Sequence, residues 1–131
     1  MHILLFIGAL FVVVFDLERY GKKTKDYEKA YQIMIGDWVN MIVAKVPSAV
    51  ILTVPTHLDK VDENKVAKIR KDVFKRMEKD EKRRVDRIEA LIEKVKKNPN
   101  GNTTSTVKTL EDLLKRRPIF PNMPWVSACY S

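Results

Sequence analysis

The residues best equipped for chemistry are Thr56-His57-Leu58-Asp59, which directly follow the apolar run Ala49-Val50-Ile51-Leu52-Thr53-Val54. A short β-branched run ending in a polar loop reads as a buried parallel strand that delivers a carboxylate to its C-terminal edge. Open α/β sheets bind ligands at that edge. A carboxylate there can accept two parallel hydrogen bonds from the ring N–H and exocyclic amine of guanine, a pairing that adenine cannot reproduce. Each residue also has a plainer reading. Asp59 and Asp62 are both competent N-caps for a helix starting near residue 63. His57 can be an ordinary loop histidine, and Ser127, in the later Ser127-Ala128-Cys129 loop, can cap a turn. Two separated histidines and one cysteine are too few for a metal site, so none is expected.

The elements that must position these residues follow from the pattern. Leu10-Phe-Val-Val-Val-Phe15 is rich in β-branched and aromatic residues and runs into Asp16, which predicts a strand over 9–15. A polar loop and a cap at Thr24 or Asp26 lead into a helix over 26–45. There Tyr27, Tyr31, Met34, Ile35, Trp38, Val39, Met41 and Ile42 recur mostly at three- and four-residue steps, which predicts one buried helical face. With a strand over 49–54 this is a βαβ unit, whose crossover is right-handed. Residues 64–97 contain no glycine or proline and predict one long charged helix, or two with a charged joint at Glu78–Arg84. A loop over 98–106, a short helix over 107–116 and a last strand over 123–127 complete the reading. Two crossovers advancing in one direction put their helices on one face of the sheet. Leu10, Val12 and Val14, or their alternates, are then expected on a bare opposite face.

Composition narrows the class. The chain has 131 residues, 45% hydrophobic and 32% charged, which fits one globular domain. A single cysteine excludes an internal disulfide framework and suits a reducing, cytoplasmic setting. Net charge is +8, and residues 60–97 hold 15 Lys/Arg against 9 Asp/Glu. The signs are interspersed and Phe74 is the sole aromatic there, so a solvated helix face is expected and no nucleic-acid partner. Ile3–Phe15 is apolar for thirteen residues, short of the ~20 a membrane helix needs, and no stable membrane insertion is expected.

Ser48-Ala-Val-Ile-Leu-Thr-Val-Pro-Thr-His-Leu-Asp59 resembles the guanine-specificity segment of Ras-type GTPases, in the Thr-His-Leu-Asp form of Roc domains from the Roco family. Ala9–Leu17, His2, and Trp38 and Ile42 followed by Lys45-Val-Pro-Ser-Ala49 extend the likeness upstream. Ser127-Ala128-Cys129, behind Trp125-Val126, resembles the Ser-Ala-x loop that closes the site. The resemblance implies a partial Ras-like P-loop NTPase fold of the α/β class, with about three parallel strands and helices mainly on one face. It implies GTP or GDP as ligand, with Mg²⁺ only in a complete domain. Asp59 would read the guanine edge, Thr56 would brace the loop, His57 would lie along the base, and Ala128 would donate its N–H to the base carbonyl. A homodimer through a COR domain outside this sequence is also implied. Pro55 stands where the family usually has glycine, removing an N–H and fixing φ.

No Gly-x-x-x-x-Gly-Lys-Ser/Thr motif is encoded, and the four glycines are scattered. Phosphoryl transfer needs that loop, Mg²⁺ and a positioned water. The expectation is therefore a base-recognising part of a GTP-binding signalling protein, with no catalytic residue of its own. Base contacts alone are worth roughly 3–5 kcal/mol, which is millimolar affinity before association entropy is counted. Two rival expectations come from other classes. One is a small basic interaction protein using the 64–97 helix on an acidic partner; the other is a protein tethered to a membrane by residues 3–15.

Overall fold

A computed structural model describes residues 3–7, 10–22, 27–97, 103–121 and 125. Three strands, β1 (Ile3–Ile7), β2 (Leu10–Asp16) and β3 (Val50–Thr56), form one sheet in the order β1-β2-β3. The β2–β3 pair is parallel, with Leu10 opposite Val50 and Asp16 opposite Thr56. Between them lie α1 (Leu17–Lys22), α2 (Tyr27–Tyr31), a π-helical turn (Gln32–Gly36) and α3 (Asp37–Lys45). A 3₁₀ turn (Leu58–Lys60) leads to α4 (Glu63–Lys96), 34 residues without interruption, and α5 (Thr103–Lys115) packs back on α4.

Alternation along β2 sorts its side chains. Phe11, Val13 and Phe15 enter the core, where Ile51 of β3 joins them. Ile35, Val39 and Ile42 reach this face from the crossover, and Ile69, Val73 and Met77 from α4. The stripe of α4 residues is spaced at i, i+4, which lines one helix face. The π turn carries a close approach: a Cβ at Gly36 would sit 3.1 Å from Tyr31 Cε1. Tyr31 in turn donates its hydroxyl to Asp80 Oδ2 at 3.0 Å, tying crossover to α4. Burial, followed by the nearby Asp80 charge, pushes the Tyr31 phenol well above its ordinary range.

The expected fold class is overturned. The molecule is predominantly helical around a small mixed sheet, not three parallel strands of a partial P-loop NTPase fold. The free edge of β2 is taken by β1, which runs antiparallel, Ile3 opposite Val14 and Ile7 opposite Leu10. The apolar run 3–15 thus supplies two strands where one was expected. On the other side, the parallel pairing beyond β3 among the described residues is one bridge, Val50 with Ile119, made by two backbone hydrogen bonds of 2.9 Å. Pro118 and Pro121 flank that residue on either side, and prolines lack the donor a ladder requires. Of the strand expected over 123–127 only Trp125 lies among the described residues, and it is not in a strand. Thr24, Asp26 and His2 also lie outside them. Helix α5 begins at Thr103, inside the segment expected to be a loop.

Candidate functional site

Parallel pairing of β2 and β3 brings Asp16 and Thr56, 40 positions apart in sequence, side by side at the C-terminal edge of the sheet. Thr56 Oγ1 donates to the Phe15 carbonyl at 3.2 Å, stitching the two strand ends together. The chain then turns through His57 in the left-handed region, φ 57° and ψ 34°, the one non-glycine residue there among those described. Such a conformation costs an L-residue roughly 1–2 kcal/mol. A contact offsets it here, since His57 Nδ1 lies 3.1 Å from Asp16 Oδ1. The Arg19 backbone N–H donates to the same oxygen at 3.2 Å. Burial pushes the Asp16 carboxyl up, but these hydrogen bonds and the His57 ring outweigh it and hold it below the usual carboxylate range.

The left-handed residue redirects the chain so that Leu58–Lys60 forms a single 3₁₀ turn, closed by Lys60 N–H to His57 O at 3.1 Å. Asp59 on that turn is exposed and has no hydrogen bond or ion pair within the described residues. Asp62, not Asp59, occupies the N-cap position of α4, and it makes no side-chain cap bond. Asp59 is therefore free of the structural duty that competed for it.

Asp59 lines a cleft of about 550 Å³ between the 3₁₀ turn and the first turns of α4, with Leu58, Val61, Val66, Arg70 and Trp125 among its walls. Trp125 packs edge-on against Phe15 at 5.4 Å and lies 6.3 Å from Phe74. The Arg70 guanidinium sits 5.1 Å from the Phe74 ring centre. The indole N–H of Trp125 is buried with no acceptor among the described residues. The cleft thus combines apolar walls with two carboxylates, Asp59 and Glu63, neither of which has a hydrogen bond or ion pair among the described residues. No cluster of His, Cys, Asp or Glu able to hold a metal occurs among the described residues.

The sequence-selected residues fare differently. Thr56 and Asp59 stand at the sheet edge, Thr56 as a strand-to-strand tie and Asp59 at the cleft. His57, expected along a base face, is instead engaged by Asp16, with its side chain 37% exposed. Ser127, Ala128 and Cys129 lie outside the described residues; Trp125, two positions before Ser127, lines the Asp59 cleft. Sequence reasoning missed Asp16, although its signal was present, since Asp16 ends β2 just as Thr56 ends β3.

No family model matches the chain, and no solved structure matches it either. Among curated proteins it is similar to the malignant fibrous histiocytoma-amplified sequence 1 homolog of Xenopus tropicalis, with 30% identity over 90 residues. That stretch covers 69% of this chain and 8% of the relative, so the chain corresponds to a small part of a much longer protein. No helix among the described residues is long and apolar enough to cross a membrane.

Proposed function

We propose that this chain recognises a guanine base, as the base-specificity region of a Roc-type GTP-binding unit in a Roco-like cytoplasmic signalling protein. The observation that carries the reading is Asp59, unpaired at the C-terminal edge of the parallel pair and lining a cleft walled by Trp125. Its carboxylate takes the ring N–H and exocyclic amine of guanine, and the indole contributes apolar surface. The Thr56–Phe15 and His57–Asp16 bonds supply rigidity, fixing the turn before a ligand arrives. The Thr-His-Leu-Asp resemblance supports the choice of guanine over other bases. The likeness to one segment of a much longer protein supports a role as part of a larger machine. GTP and GDP are the proposed ligands, with phosphates and Mg²⁺ held by residues outside this sequence, and a dimer through a COR domain belongs to the same proposal. This chain alone is proposed to be catalytically inactive.

The test is a titration of the isotope-labelled chain with GMP and with AMP, followed by amide and indole NMR shifts. GMP should perturb residues 57–61 and the Trp125 indole at millimolar concentration, with AMP at least several-fold weaker. Equal responses to the two nucleotides, or none at either site, would refute guanine recognition.

A further inference from the structure

The middle of α4 carries a second built surface, remote from Asp59 in sequence and independent of the guanine reading. Glu81 is buried, and its two oxygens accept from Arg84 Nε at 3.0 Å and from Arg117 Nε at 3.2 Å. Arg84 also donates from Nη1 to Asn40 Oδ1 at 2.7 Å, so α3, α4 and the segment after α5 are joined through the Glu81–Arg84 pair. Beside this knot lies an apolar pocket of about 190 Å³ walled by Pro47, Val85, Ile88 and Leu113. A groove of about 450 Å³ adjoins it, sharing Val43, Ala44 and Arg84 with the pocket and adding Arg83 and Arg87.

Charge and volume together identify the occupant. Arg116 on the pocket and Arg87 on the groove are exposed and make no ion pair among the described residues. Glu81 and Asp80 are already engaged, by Arg84 and Arg117 in one case and by Tyr31 and Arg83 in the other. The rim therefore presents uncompensated positive charge around an apolar hole. A cavity of roughly 150 Å³ accepts a benzene ring, so this one fits a single phenyl or leucyl group and no more. We infer that the α3–α4–α5 groove docks an acidic peptide segment that inserts one aromatic or branched apolar side chain between Val85, Ile88 and Leu113, with flanking carboxylates on Arg87 and Arg116. Anchors of this kind carry most of the binding in peptide grooves, while rim charges set selectivity and on-rate.

The experiment is fluorescence anisotropy of a fluorescein-labelled Glu-Asp-Glu-Phe-Glu-Asp-Glu peptide with the full 131-residue chain. Saturable binding is expected, weakened at least tenfold when the peptide's Phe becomes Ala. Arg87→Glu/Arg116→Glu should weaken it at least tenfold, whereas the charge-matched Lys68→Glu/Lys75→Glu pair changes it less than threefold. All four positions are exposed, so both variants should fold, which far-UV circular dichroism checks. Asp59→Asn should leave peptide binding unchanged, which separates this surface from the guanine cleft. No saturable binding, indifference to the Phe, or equal losses in the two charge variants would each overturn the inference. Binding to phosphatidylserine vesicles in place of the peptide, lost with Arg87→Glu/Arg116→Glu, would also overturn it, assigning the surface to lipid.

Discussion

Asp59 and Glu81 are both carboxylates set among cations in the same basic half of the chain, yet the fold treats them in opposite ways. Glu81 is buried on the core-facing stripe of α4 and spends both oxygens on arginines from two different elements. Asp59 stands four residues before the same helix, exposed, uncapped and unpaired. A carboxylate whose lone pairs are already used is architecture. One left unpaired at the C-terminal edge of a parallel pair, beside a cleft, is available to a ligand. Residue type and local charge do not separate the two cases; only the partners do.

The contrast predicts a large stability effect at one site and almost none at the other. Glu81→Ala should cost about 3 kcal/mol in urea unfolding, because it strands the inward-facing Arg84, one of whose Nη atoms is already buried without a partner. A loss below about 1 kcal/mol would reduce Glu81 to a surface pair. Next comes the turn that presents Asp59. His57→Val should cost about 2 kcal/mol, combining a β-branched residue in the left-handed region with loss of the Asp16 contact. His57→Gly, which keeps the conformation, should cost visibly less.

A smaller effect depends on pH. Because the Asp16 carboxyl is held below its unfolded value near 3.9, its contribution is present above that pH and is lost as pH falls through the lower folded value. Asp16→Asn should thus destabilise the protein by about 1 kcal/mol at pH 6 and by progressively less below about pH 4. A penalty that is constant between pH 6 and pH 2.5 would remove the charge from the account. Smallest of all, Asp59→Ala should shift stability by less than about 0.5 kcal/mol, as expected for an exposed residue with no partner.

The parts of this design differ in how plainly the sequence announces them. Strands β2 and β3 are written in consecutive β-branched residues ending in Asp16 and Thr56, and α4 in a run free of glycine and proline. Strand β1 is hidden because residues 3–15 are apolar almost throughout, so no period divides one strand from two. The first turn of α5 is hidden by Thr103-Thr-Ser-Thr106, a loop-like composition that contact with α4 overrides. The single bridge at Ile119 is in keeping with Pro118 and Pro121 beside it, whose missing donors weigh against a ladder. At the site, the Thr56–Asp59 spacing was readable. The Asp16–His57 pair and the absence of a cap on Asp59 were not, since both depend on what the parallel register brings together.

Base exchange at Asp59 tests the central claim most directly. An amide in place of the carboxylate offers a donor where guanine also presents one, and suits the carbonyl of xanthine instead. Titrated with GMP and XMP, the native chain should favour GMP, and Asp59→Asn should reverse that order at unchanged stability. If the variant keeps the native preference, Asp59 does not read the base and the guanine site is not where this account puts it.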